Sequence, residues 1–117
     1  MQVQAITRNV RMSAQKMREV ARQIQGMNAV QAQAVLGVVP RKSARFVAKT
    51  LKSAIANAED LKRNKPEFAG LVVEALLVKE AVAQTATVIK RLMPKARGSA
   101  GPILKRNCHI KIVLSDD

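Results

Sequence analysis

The sequence predicts an α+β fold, and three observations predict it. Apolar residues recur at helical spacing in three successive segments of the first half of the chain. Segments with two-residue alternation or aliphatic, β-branched content lie at the start and in the second half. A basic stretch broken by proline and glycine separates the last two of these strand-like segments.

Residues 2–10 read as a short strand, with Val3, Ala5 and Thr7 alternating with polar positions. Ser13 follows as an N-cap, since its hydroxyl suits an orphan backbone donor in a first helical turn. Met17, Val20, Ala21 and Ile24 then fall at i, i+3, i+4 and i+7 on one helical face. Gly26 suits the left-handed end of that helix. Asn28 caps a second, shorter helix, with Gln31 spaced to reciprocate in a capping box. Gly37 and Pro40 punctuate the join to a third helix, Pro40 fitting its first position.

The third helix, about 41–63, is the best-defined element. Val47, Leu51, Ala54, Ile55 and Ala58 line its apolar side, and Arg41, Arg45, Lys49 and Lys52 form a basic stripe. At about 100° per residue the two faces are centred roughly 130° apart and do not overlap. A solvated lysine face is the bland account of such a stripe. Here no acid occurs between Glu19 and Glu59 to supply i, i+4 partners, which favours a nucleic-acid contact.

Asn64, Pro66 and Gly70 mark a loop, and the aliphatic run Leu71 to Val82 reads as a strand. A clearer strand alternates Cys108, Ile110, Ile112 and Leu114 with Asn107, His109, Lys111 and Val113. Between these strands lie residues 83–106, inside a stretch from Ala81 to Ser115 that contains no acid. Pro94, Gly98, Gly101 and Pro102 oppose a regular helix or an uninterrupted ladder there. The segment is a long hairpin or a disordered loop, and as a hairpin it would reach roughly 30 Å at about 3.4 Å per residue.

Charge narrows the function. Among 117 residues, 21 Lys and Arg against 8 Asp and Glu leave +13, while 48% hydrophobic content argues for a folded chain. Self-repulsion of that size is relieved by a polyanion, and phosphate backbones are the usual one. A membrane surface fits less well. There is no Trp or Tyr, only Phe46 and Phe68, and no apolar run approaches the roughly 20 residues that span a bilayer. The same lack of aromatics counts against base-stacking folds of the RRM type, so contacts to phosphate and sugar are expected.

Enzymatic constellations are absent from the sequence. Cys108 and His109 are strand neighbours and point to opposite faces, which argues against a thiol–imidazole pair. With one Cys and one His there is no zinc set, and one Cys makes no internal disulfide, so a reducing, cytoplasmic setting is expected. Gly98 and Gly101 lack the context of a phosphate loop. No catalytic residue, metal, cofactor or small-molecule substrate is expected. Met17 reads as core, whereas Met93 lies in the basic segment.

Four segments, in order, carry a family resemblance. They are Arg11–Met12–Ser13 with Lys16 and Arg18; KTLKSAIANAE from Lys49 to Glu59; KRLMPKARG from Lys90 to Gly98; and ILKRNCHIKIV from Ile103 to Val113. Together they resemble the family of bacterial large-ribosomal-subunit protein twenty-two over nearly the whole chain. The resemblance implies one domain over 1–117. Its three helices would pack on a small antiparallel three-stranded sheet, with 83–106 as a long projecting β-hairpin.

It further implies a cytoplasmic, ribosomal protein that binds 23S rRNA, aids subunit assembly and lines the peptide exit tunnel. The implied partners are that rRNA, neighbouring large-subunit proteins including protein four, and the nascent peptide, with no membrane. The tunnel tip would comprise Val88, Ile89, Lys90, Arg91, Leu92, Met93 and Pro94. The expected rRNA contacts are Arg11, Lys16, Arg18, Lys42, Arg45 and Lys49 on the body, and Lys90, Arg91, Lys95, Arg97, Lys105 and Arg106 on the arm. Three places depart from the family: Ala86–Thr87 stand where Gly-Pro is usual, Gln25–Gly26–Met27 where Arg-Gly-Lys is common, and Ser99 where arginine is usual.

The rival reading is a helix-turn-helix DNA binder, because a short Gly-containing turn precedes Arg41, Lys42 and Arg45. The third helix is alanine-rich, however, lacks a cluster of Asn and Gln for reading bases, and leaves the basic arm unexplained.

Overall fold

The structure, a computed structural model, describes residues 2–116. Its elements run β1 (Gln2–Val10), α1 (Ala14–Ile24), α2 (Ala29–Val38), α3 (Lys42–Asn64), β2 (Leu77–Thr85), β3 (Ile89–Pro94), β4 (Ala100–Lys105) and β5 (Cys108–Ser115). Three helices with antiparallel strands match the expected α+β class.

β5 lies at the centre of a three-stranded sheet ordered β1–β5–β2, antiparallel to both neighbours. Its alternation decides that position. Cys108, Ile110, Ile112 and Leu114 are all fully buried on the face that meets the helices. The register sets small residues beside these large ones: Ala5 and Ala81 flank Ile112, and Ala83 pairs with Ile110. Against this face lie Met17, Val20 and Ile24 of α1 and Val47, Leu51, Ala54 and Ala58 of α3. The alanines of α3 let its backbone come close to the sheet. Thr50 is buried among them, and its hydroxyl is satisfied by Thr7 Oγ1 at 2.7 Å and by the Phe46 carbonyl at 3.0 Å.

Each edge strand receives one hydrogen bond from a helix side chain. Asn57 Nδ2 of α3 donates to the Gln4 carbonyl of β1, and Arg18 Nε of α1 donates to the Ala83 carbonyl of β2. β1 ends in a bulge where Asn9 takes φ 56°, and His109 Nδ1 accepts the Asn9 amide at 3.0 Å.

Several expectations need correction. The strand predicted from Leu71 begins only at Leu77. Leu71 and Leu76 fill the core, but Val73–Ala75 form a single 3-10 turn between them. The link between α1 and α2 then runs along the start of β2: Gly26 N donates to Val78 O, Val78 N to Met27 O, and Ala29 N to Leu76 O. Ser13 occupies the N-cap of α1 but makes no side-chain capping bond. Asn28 does cap α2, accepting from Val30 N, yet Gln31 does not reciprocate; Asn28 Nδ2 donates to Glu74 O instead. Gly26 ends α1 at φ 87° as expected, whereas Gly37 is inside α2 and Pro40 precedes the cap Arg41 of α3.

The basic segment is also more regular than its prolines suggested. β3 and β4 pair antiparallel without interruption from Ile89↔Lys105 to Pro94↔Ala100. The reason is parity. Lys95 N bonds Ser99 O across the turn, so the pairs one and three residues back along the ladder fall in the alternate, non-bonded phase. Pro94 and Pro102 each occur in a pair of that phase, Pro94↔Ala100 and Leu92↔Pro102, where no inward N–H is required.

Candidate nucleic-acid interface

The described part of the molecule measures 66 × 27 × 17 Å, and its basic residues are distributed along that length. On α1, Lys16 and Arg18 are exposed, with Arg11 exposed in the link before it. On α3, burial of Ala44, Val47, Leu51 and Ala54 turns Lys42, Arg45, Lys49 and Lys52 outward. Arg41 differs from its neighbours, because Glu19 of α1 is ion-paired with it. The stripe therefore has an acidic partner at one end, supplied across the fold and not along the helix. Lys42 and Arg45 border a groove of about 760 Å³ whose other wall is Leu36 to Pro40.

β2 and β5 continue beyond the sheet into β3 and β4. After Thr85↔Cys108, Ala86 N donates to Asn107 O and Asn107 Nδ2 donates to Thr87 O. Pairing resumes at Ile89↔Lys105, so three residues (86–88) face two (106–107). That single extra residue is a bulge at the root of the ribbon, at the Ala86–Thr87 departure. The chain reverses at Lys95–Ser99, where Arg97 and Gly98 take φ 61° and 73° and Ser99 Oγ donates to Ala96 O. Of the stretch assigned to the tip, Ile89–Pro94 thus form one leg and Val88 precedes it. The turn itself carries Lys95 and Arg97.

The register sorts the ribbon into two faces, because paired residues share a side. One face holds Ile89, Arg91, Met93, Gly101, Ile103 and Lys105, and the Lys95 side chain folds over Gly101. A Cβ at Gly101 would lie 2.6 Å from Lys95 Cε, so glycine makes room for that lysine. The opposite face holds Lys90 with Leu92, Pro94, Ala100, Pro102 and Leu104. Leu92 is 76% exposed and Leu104 44%. The first face carries Arg91 and Lys105 among Ile89, Met93 and Ile103, whereas the second is apolar except for Lys90, a division that charge counting alone does not reveal.

At the ribbon's root the structure brings together residues far apart in sequence. Arg18 and Arg106 line one open pocket of about 330 Å³ with Ser13, Gln15, Thr85, Val88 and Asn107. Arg22, which the sequence reading passed over, lines an adjoining hollow with Arg18. Its spacing of four from Arg18 on the exposed side of α1 was the available signal. The remaining expected contacts do not converge: Lys49 lies on α3 away from both hollows, and Lys90 to Arg97 lie along the ribbon.

Cys108 is buried and His109 is engaged with Asn9, so they form no catalytic pair. Burial pushes the Cys108 thiol up, against a smaller opposing pull from Arg18. No cluster of metal-ligating side chains occurs among the described residues, and no described helix is long and apolar enough to cross a membrane.

Comparison with known proteins agrees with this picture. Residues 5–115 match the family model described as ribosomal protein L22p/L17e. The chain is 50% identical to the large ribosomal subunit protein uL22 of Opitutus terrae, over 99% of this chain and 96% of that protein. It is 44% identical to the protein of the same name from Akkermansia muciniphila, over 99% and 97%, and 42% identical to that of Herpetosiphon aurantiacus, over 99% and 96%. These matches displace the helix-turn-helix reading. The chain belongs to the ribosomal protein L22p/L17e family, whose members are structural, non-enzymatic components of the ribosome.

Proposed function

We propose that the protein is a structural constituent of the large ribosomal subunit in the cytoplasm. It binds 23S rRNA mainly through phosphate and ribose, aids subunit assembly, and lines the peptide exit tunnel with its ribbon. The observation that carries this reading is the ribbon itself: solvent-exposed basic residues with no acid from Ala81 to Ser115, in a chain of the L22p/L17e family. Lys16, Arg18, Lys42, Arg45 and Lys49 hold the helix–sheet body on RNA, with Arg11 beside them. Lys90, Arg91, Lys95, Arg97, Lys105 and Arg106 seat the arm, which leaves the three-stranded sheet after Thr85, not at residue 83 as expected from the sequence, and rejoins it at Cys108. Val88 to Pro94 border the tunnel, beside large-subunit protein four and the nascent peptide. The largely apolar face through Leu92 suits contact with an uncharged or passing chain, while the face carrying Arg91 and Lys105 suits phosphate.

The test is the salt dependence of binding to transcribed 23S rRNA fragments. Log affinity should fall linearly with log salt, and Lys49→Ala should lower the slope by about 0.7–0.9. A wild-type affinity insensitive to salt, or tighter binding to a palindromic DNA duplex, contradicts this function.

A further inference from the structure

Building on the RNA binding proposed above, we propose that the pocket at the root of the arm holds one backbone phosphate of the RNA. This contact fixes the direction in which β3 and β4 leave the sheet. The pocket lies between the start of α1 and the two legs of the ribbon. Ser13, Gln15 and Arg18 stand on one side, Thr85 and Val88 on the outgoing leg, and Arg106 and Asn107 on the returning one. Its volume of about 330 Å³ suits a phosphate with its ribose, being near the lower end of small-ligand pockets, about 300 Å³.

Two guanidinium groups share this space, and none of the lining residues is acidic. Like charges so placed repel unless an anion joins them, and the planar forks of arginine match phosphate oxygens. Arg18 is already oriented, because its Nε bond to Ala83 O, at 2.9 Å, holds the group while leaving its other donors available. Arg106 is exposed and makes no hydrogen bond or ion pair with the described residues, so its donors are free for a ligand. The first turn of α1 contains no acid that would repel an anion.

The position of the pocket gives the contact its second effect. Arg18 belongs to α1, whereas Arg106 belongs to the arm just where three residues face two. A bulge bends and twists a ribbon, and this one is followed by legs with little buried surface, so the arm pivots there. A phosphate gripped by both arginines bridges the pivot and stops it.

The experiment compares wild type, Arg106→Gln, Lys49→Ala and, as a remote control, Lys62→Gln. Each is measured for affinity to a 23S rRNA fragment across salt. Each also carries spin labels at Ala56→Cys on α3 and Ala100→Cys near the arm's turn. Arg106→Gln should bind about tenfold more weakly, equivalent to one charge-assisted hydrogen bond, with a slope lower by about 0.7–0.9. The label-to-label distance distribution should narrow when wild type binds RNA and stay broad in Arg106→Gln, with Lys62→Gln behaving as wild type. A lowered slope with normal narrowing keeps the phosphate and overturns the pivot. An unchanged slope in Arg106→Gln overturns the whole proposal; if Lys49→Ala still lowers the slope, RNA binding itself stands. If neither variant changes the slope, the RNA-binding reading beneath it fails as well.

Discussion

Arg18 Nε donates to the Ala83 carbonyl across 2.9 Å, joining the exposed side of α1 to the edge strand that runs on into the arm. One nitrogen of the guanidinium thus closes a structural bond, and the residue also lines the pocket that it shares with Arg106. A lysine, with a single ammonium on a flexible stem, cannot do both. Arg18→Lys should therefore lower stability by about 0.5–1.5 kcal/mol, read as an earlier urea midpoint at unchanged m. An unshifted midpoint would show that the bond contributes nothing to the fold.

Two leucines make a paired prediction. Leu51 is fully buried between α3 and the sheet, whereas Leu92 on the ribbon is 76% exposed. Leu51→Ala should cost about 2–5 kcal/mol, a large share of a total of about 5–15 kcal/mol for a domain. Leu92→Ala should stay within about 0.5 kcal/mol. Thermal or denaturant unfolding of the two variants distinguishes a core on the helix–sheet side from one shared with the arm.

Burial, the larger influence on Cys108, raises its thiol pKa, and Arg18 acts in the opposite sense. The folded state therefore holds the thiol proton more tightly than the unfolded chain does. Below the ordinary thiol pKa, about 8.5, both states are protonated and stability does not depend on this group. Above it the unfolded chain loses its proton first, and stability falls as pH rises. Alkylation at neutral pH should be slow and become fast on unfolding, and Cys108→Ala should flatten the alkaline part of the stability profile. Rapid alkylation of the native protein would contradict the burial.

Much of the fold was legible because its signals are local. The alternation of Cys108, Ile110, Ile112 and Leu114 marks a strand wherever it is placed, and Val47, Leu51, Ala54 and Ala58 mark one helix face. What was not legible depends on distant partners. The run from Leu71 has strand composition, but its early part is turned by a 3-10 segment, and the chain from Leu76 to Val78 pairs with the link Gly26–Ala29. Arg41 lacks a nearby acid in sequence, yet Glu19 reaches it across the α1–α3 contact. Pro94 and Pro102 look like interruptions until the register shows both on the phase that needs no inward donor. For the interface, charge named the residues, and only topology set Arg18 beside Arg106 and separated the two faces of the ribbon.

Replacing residues 89–105 with a two-residue Asn-Gly turn should leave the unfolding midpoint of the remainder nearly unchanged, since β3 and β4 pair only with each other. The same change removes Lys90, Arg91, Lys95, Arg97 and Lys105. If each seats one phosphate, the salt slope for rRNA should drop by about 3.5 to 4.5. Unfolding on loss of the ribbon would refute its independence from the core.

The most direct measurement is co-sedimentation of the tagged protein with large ribosomal subunits through a high-salt wash. An integral constituent that grips RNA with both body and arm should stay with the large subunit, and the variant lacking residues 89–105 should be released at lower salt. Quantitative loss of the intact protein in that wash, with recovery on duplex DNA instead, would contradict the account.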